Sequence, residues 1–410
     1  MDESWKADSL DRLMPDDMTS NGRDARHMVE PVTHARPRRM SVCEPVLDGN
    51  EQAYVLECLQ TNWVSSEGKF VQAFEEAFSR FCGAAYGIGC SSGTAAIHLA
   101  LSTLGIGTGD EVIVPCFNLI VGASTVIWTG ARPVLVDVDP RTWCLDPTRI
   151  EERITPRTKA ILAVHMYGHP CDMDPILEIA RRHGLFVVED GAEAHGAEYK
   201  GRRVGALGDI GCFSFYGNKI LTTGEGGMVV TNDQTLAARV RLLRNQAFEE
   251  PRFVHRVLGF NYRLTNIQAA IGLAQCEKVE EKIARKREIA AWYTAQLSGN
   301  PQLEIPYEAS WARSVYWMYG VVLHETFGCS RDAAMQLLRR QGIETRPFFH
   351  PLHRQPVFFE QEDPRFPSTA GEFSVSERLG RQGLYLPSGL GLTREDVSDV
   401  VEAIAQCRTR

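Results

Sequence analysis

Three short stretches carry residues whose types could do chemistry together. The first is SFYGNKILTTGEGG, in which Lys219 follows an apolar run and precedes a glycine-rich turn. A lysine at the end of a buried strand is placed to act as an amine nucleophile or a base. Gly217, Gly224, Gly226 and Gly227 imply close backbone approach there, although position alone would equally suit a surface lysine. The second is LFVVEDG, which delivers Asp190 from an apolar strand. A buried carboxylate is costly unless paired, and a protonated ring nitrogen would be such a partner; a turn-forming or N-cap aspartate is the plain alternative. Glu189 points the other way by strand alternation and reads as structural. The third is CSSGTAAIHLAL, where Ser92, Gly93 and Thr94 open an apolar helix. Free N–H groups and the dipole at a helix start suit an anion, yet the same residues also cap helices that bind nothing. The GxxxxGK[ST] order of a P-loop is absent.

An amine able to form a Schiff base, an acid for a pyridine nitrogen and a phosphate cradle are the three supports that pyridoxal 5′-phosphate (PLP) requires. Their joint occurrence in the order cradle, acid, lysine is far more specific than any one of them.

These residues need a scaffold, and the hydrophobic patterning supplies one. Val112–Cys116, Pro133–Asp139, Ala160–Gly168 and Leu185–Gly191 read as buried strands, with helices over Gly93–Leu104, Leu119–Thr129 and Pro175–His183 between them. This alternation predicts βαβ units and a mainly parallel sheet, with further strands at Gly211–Lys219 and Gly226–Asp233. Helices are also expected over Asn50–Cys58 and Lys69–Phe81. The register of Ile267, Ile271, Ala274 and Val279 predicts one long helix starting at Asn266. Near the end come a strand at Tyr319–Leu323 and helices near Arg331–Gln341 and Arg394–Cys407. At 410 residues the chain exceeds what one core usually serves. We expect a polar tail over residues 1–38, a large α/β domain over 39–285 and a smaller C-terminal α/β domain over 286–410.

The net charge of −8, without a long basic run, argues against nucleic acid or an anionic membrane as partner. No stretch approaches the ~20 apolar residues of a membrane span. The 11 cysteines lack CxxC pairing and several sit in apolar runs, as suits free thiols in a reducing compartment. The start, MDESWKADSL, has acids where a secretion signal needs positive charge. We expect a cytoplasmic protein. No Cys/His spacing supports a metal site, so His165, His169 and His195 read as packing or substrate residues.

Over nearly its whole length from Ser41, the chain resembles the fold-type I nucleotide-sugar aminotransferases of the DegT family. The stretches that carry the resemblance are WVSSEGKFVQAFEEAF, SSGTAAIHLAL, AVHMYGHPCDM, VVEDGAEAHGAEYKG, GDIGCFSFYGNKILTTGEGGMVVTN, GFNYRLTNIQAAIGLAQ, YWMYG and RPFFHPLH. The resemblance implies a fold-type I PLP transferase cycling between PLP and pyridoxamine phosphate (PMP). It implies L-glutamate as amino donor, a nucleotide-linked keto sugar as acceptor, and a homodimer with shared active sites. Lys219 would then hold the cofactor and Asp190 its pyridine nitrogen. Glu193 would contact the 3′-oxygen. Ser92, Gly93, Thr94 and Ser214 would hold the phosphate, and Asn261 would reach the phosphate of the neighbouring subunit. Leu119 stands where many relatives carry an aromatic that stacks on the ring, with Phe117 nearby. Tyr316, His350 and His353 are candidates for sugar contact; Tyr316, Trp317 and Tyr319 otherwise read as core or interface.

The branch most resembled implies GDP-4-keto-6-deoxy-D-mannose as acceptor, giving GDP-perosamine. Amination at C3, or of a dTDP- or UDP-linked sugar, is the alternative. A related dehydratase branch carries His at the lysine position, so Lys219 favours transamination, and a binding-only protein would need no such lysine.

Overall fold

The structure, a computed structural model, describes residues 39–359, 361 and 363–407. The expected tail over residues 1–38 lies outside them. Strands apolar on both faces must lie side by side with helices over both faces, and the fold follows from that requirement.

The helices α1 (Glu51–Gln60) and α2 (Lys69–Cys82) lead. Along α2, Phe70, Phe74 and Phe78 recur every fourth residue and are all buried, each contributing about 1.5–3 kcal/mol. The helix stops at Gly83, whose φ of +74° provides the left-handed cap. The alternating segment then runs β1 (Tyr86–Cys90), α3 (Gly93–Thr103), β2 (Glu111–Pro115), α4 (Val121–Trp128), β3 (Arg132–Val136), β4 (Thr158–Val164), α5 (Met173–His183) and β5 (Phe186–Asp190). A hairpin of β6 (Glu198–Tyr199) and β7 (Arg202–Arg203) precedes β8 (Ile210–Ser214), β9 (Gly227–Thr231) and α6 (Gln234–Arg244).

Seven of these strands form one sheet in the order β1-β9-β8-β5-β4-β2-β3. From β8 to β3 every pairing is parallel, while β9 runs against both β1 and β8. The mainly parallel α/β sheet is the one expected. The expectation did not include β1, whose YGIGC sequence is short and glycine-rich.

Two other expectations need correction. The strand predicted over Gly211–Lys219 ends at Ser214: Phe215 N–H still donates to Gly226 O in the register with β9, but its carbonyl accepts from Thr223 N–H and the chain turns. Lys219 therefore sits in the loop after β8. The single helix predicted from Asn266 is two helices, α7 (Asn266–Glu277) and α8 (Val279–Leu297). They break at Lys278, whose backbone leaves the helical region (φ −114°, ψ 14°). Its ammonium ion is tied to Asp48, 3.2 Å away. A pause of one residue preserves the apolar register, so periodicity alone cannot reveal it.

The remaining elements are β10 (Leu303–Glu304), β11 (Ala312–Arg313), β12 (Tyr319–Leu323), α9 (Arg331–Arg340), β13 (Arg346–Pro347), α10 (Ser374–Gln382), β14 (Gly383–Leu386) and α11 (Arg394–Gln406). A second sheet has the order β10-β12-β14-β13. Its core joins Tyr293 of α8, Tyr319 and Val321 of β12, Leu338 of α9 and Val400 of α11. Among the described residues no helix is long and apolar enough to cross a membrane.

Candidate active site

The C-terminal ends of parallel strands are where open α/β sheets bind ligands. At that edge the structure has a cavity of about 310 Å³ lined by Ser92, Gly93, Thr94, Leu119, Asp190, Glu193, Ser214 and Lys219. Eight residues singled out from four separate stretches thus meet in one place.

The cradle is built by close packing. The Ser92 hydroxyl accepts the Ala95 N–H and caps α3. A methyl group at Gly93 would lie 2.6 Å from Ser214 Cβ, and one at Gly227 would lie 2.2 Å from Ser92 O. Only glycines let the helix start come this near to the ends of β8 and β9.

Asp190 is buried at the end of β5, and its carboxylate accepts the Ala192 N–H at 3.0 Å. Burial raises its pKa, opposed by that hydrogen bond and by the Lys219 charge. The neighbouring Glu189 faces away from the cavity. It accepts from His165 Nε2 and from the N–H groups of Gly205, Leu207 and Gly208. His165 Nδ1 in turn accepts the Cys171 N–H.

Lys219 lies 3.8 Å from Glu193 Oε1, with its Nζ 3.9 Å from the centre of the Trp317 ring. Its loop is anchored one residue earlier, where the Asn218 carbonyl accepts from Trp317 Nε1 at 2.7 Å and from the Cys43 thiol at 3.6 Å. Glu193 Oε2 accepts the Tyr167 N–H at 2.9 Å. Burial pushes the Glu193 carboxyl up to about 7, with the Lys219 charge opposing, and burial pushes the Lys219 ammonium down. Both groups are driven toward their neutral forms.

An acid raised from 4.5 to about 7 holds, when folded, a proton that the unfolded chain has already released. Its contribution to stability is therefore lost as pH rises through that window. The unfolding free energy of cofactor-free protein should fall between about pH 5 and about pH 8, and the fall should shrink in Glu193→Gln. Denaturant titration at a series of pH values checks this. Identical profiles for the two proteins would refute it.

A PLP-like ligand fits this lining. The ring would find a buried carboxylate, the phosphate a helix N-terminus with hydroxyls, and the aldehyde an amine depressed toward neutrality. Two buried polar atoms of cavity-lining residues, Asn118 Nδ2 and Asn218 Oδ1, also have no protein partner.

Other candidates are placed differently. Leu119 lines the cavity with about half its surface open, whereas Phe117 is fully buried against Tyr167, Phe348 and Phe349. Phe117 thus presents no face to the ring. Tyr316 lines a separate small cavity with Arg141 and Tyr307. His350 is exposed and bonded to Arg354 O. His353 is buried, with Nδ1 3.0 Å from Cys116 Sγ and Nε2 3.0 Å from Glu377. Asn261 is exposed and does not line this cavity. Trp317, read as core or interface, lines the cavity, as do Tyr216, Phe349 and Tyr385. Phe349 lies in the RPFFHPLH stretch already singled out, whereas nothing in local sequence signals Tyr385. Among the described residues no cluster of His, Cys, Asp and Glu could hold a metal.

This constellation on a mainly parallel sheet defines a PLP-dependent aminotransferase. The pattern of the DegT/DnrJ/EryC1/StrS aminotransferase family matches residues 45–405, and the chain belongs to that family. It is similar to GDP-perosamine synthase of Caulobacter vibrioides, 51% identical over 371 residues that cover 90% of this chain and 98% of that protein. The GDP-perosamine synthase of Escherichia coli O157:H7 is 44% identical, covering 88% and 97%. Among solved structures, DesV of S. venezuelae superposes with a TM-score of 0.82 at 37% identity, over 88% of this chain and 95% of that one.

Proposed function

We propose that this aminotransferase moves an amino group from L-glutamate to C4 of GDP-4-keto-6-deoxy-D-mannose, giving GDP-perosamine. The observation that carries the reading is the 51% identity to a GDP-perosamine synthase along 98% of that protein's length.

Bound PLP supplies an electron sink that alternately takes and gives the amino group. In this reading Asp190 holds the proton on the ring nitrogen and Glu193 faces the ring oxygen. Ser92, Gly93, Thr94 and Ser214 hold the phosphate. Lys219 Nζ would hold the cofactor, and its free amine would be the base positioned to move a proton at the substrate carbon. Burial lowers its pKa, which favours the neutral amine against the opposing Glu193 and Asp190 charges. Trp317 and Tyr385 form part of the wall beside it.

A homodimer with shared sites belongs to this reading. In the segment before Asn261, Phe253 and Leu258 are 73% and 91% exposed, an apolar surface that a second copy would cover. The division into a large domain over 39–285 and a smaller one over 286–410, a cytoplasmic setting and a role in O-antigen deoxyamino sugar supply complete the proposal.

The test offers GDP-, dTDP- and UDP-linked 4-keto-6-deoxy sugars to the holoenzyme with L-glutamate and reads products by mass and NMR. We expect a 4-amino product from the GDP substrate, with 2-oxoglutarate released. Preference for another nucleotide, or a 3-amino product, would overturn the acceptor.

A further inference from the structure

The cofactor cavity is not closed on its outer side. It shares Tyr216 and Asn218 with a neighbouring cleft of about 250 Å³. That cleft shares Val42, Glu344 and Arg346 with a groove of about 460 Å³ along α9, where Met335, Gln336, Arg339, Thr345 and Asp332, itself bonded to Arg331, complete the wall. The three adjoin through these shared walls, in a row that leads outward from Lys219 as a trough.

The charges along the trough are unequal. Glu344, the acid in its middle, is engaged by the Arg39 guanidinium, whose Nε donates to it at 2.9 Å. Arg346 has no ion pair or side-chain hydrogen bond among the described residues, and its side chain is exposed. It stands directly opposite Tyr385 across the β13–β14 pair, so the two side chains leave the sheet on the same face. Tyr385 lines the inner cavity. Its hydroxyl, pushed up to about 12 chiefly by burial, feels the Arg346 charge in the opposite direction. A guanidinium without a partner among the described residues therefore stands in the cleft between the cofactor cavity and the outer groove. A guanidinium is suited to phosphate oxygens because it presents donors in a rigid fork.

We propose that Arg346 binds the diphosphate of the nucleotide-linked substrate, with the sugar directed inward toward Lys219 and the nucleoside outward along α9. This rests on the nucleotide-sugar reading above. The inner cavity takes the reacting carbon, the cleft takes the two phosphates, and the groove beside Met335 and Gln336 offers an apolar and hydrogen-bonding wall to a base.

The experiment titrates wild-type holoenzyme, Arg346→Ala and Arg346→Lys with GDP, guanosine and inorganic pyrophosphate by calorimetry. It also measures the glutamate half-reaction and the steady-state kinetics with the GDP-linked keto sugar. Loss of a charge-assisted contact should weaken GDP binding about tenfold to a hundredfold in Arg346→Ala, with Arg346→Lys between. Guanosine binding should be unchanged. KM for the sugar should rise while kcat holds, and the glutamate half-reaction should keep its rate because that donor carries no diphosphate. Equal GDP affinity in all three proteins, or no GDP binding by the wild type, overturns the proposal. So does an equal slowing of the glutamate half-reaction, which would make Arg346 a support of the cofactor cavity. Unchanged KM in a variant that still aminates the sugar sinks the trough and leaves the function standing. A wild type that aminates no nucleotide-linked sugar, yet loses GDP affinity on Arg346→Ala, sinks the function and leaves the trough.

Discussion

Lys219→Ala should abolish amino transfer, with a loss of about 10⁴-fold or more, because two contributions disappear together. One is covalent retention of the cofactor, and the other is proton transfer by a positioned base, itself worth about 10²–10⁴-fold. No neighbour can replace the covalent role: the described lining has no other lysine, and the carboxyl of Glu193, 3.8 Å from Nζ, forms no Schiff base. The yellow absorbance of the holoprotein should vanish with the activity, while thermal stability without cofactor changes little or rises, since a desolvated ammonium has been removed. Turnover within tenfold of wild type would remove Lys219 from the chemistry.

The largest effect on folding should come from a residue that never touches the ligand. Glu189→Ala should cost about 3–5 kcal/mol, the usual range when a buried charged partner is removed and its donors are left unpaired. Three backbone N–H groups at 2.7 Å and the His165 ring at 3.0 Å converge on this carboxylate. Burial alone would push its pKa up, yet the His165 and loop donors hold it below the ordinary value. The loop at Gly205–Gly208 packs against Phe213, where a methyl group at Gly205 would lie 2.5 Å from the ring. Losing the carboxylate would release that loop and loosen β5 and β8, the strands that lead to Asp190 and Lys219. Denaturant unfolding of cofactor-free protein measures the cost, and a loss under about 1 kcal/mol would show that water replaces the carboxylate at little penalty.

Much of this architecture was legible in the chain itself. Val112–Val114 and Val187–Val188 could be read as buried strands because both faces of each are covered. The cradle, Asp190 and Lys219 were legible because each lies where an apolar run ends, and a strand end in a parallel sheet points to one edge. What escaped notice is tertiary in origin. Trp317 and Tyr385 reach the cavity only because β12 and β14 pair with each other and are packed beside the Lys219 loop. Arg346 gains its place through its register with Tyr385. Tyr316 and His353 belong to the same motif-bearing segments as these residues, yet one faces a different cavity and the other is spent on Cys116 and Glu377. Spacing along a chain cannot show which way a loop residue turns, and no periodic signal marks the pause at Lys278.

The anchoring of the Asn218 carbonyl by Trp317 and Cys43 has a mechanical consequence. The residue just before Lys219 is gripped from two remote parts of the chain, so the backbone beneath the lysine forms a fixed pivot. Whatever travel the amine needs between being joined to a ligand and being free must come from rotation about the bonds of its own four-carbon stem. An arm swinging on a stationary base returns to the same point each cycle, and it does so without dragging the sheet along with it.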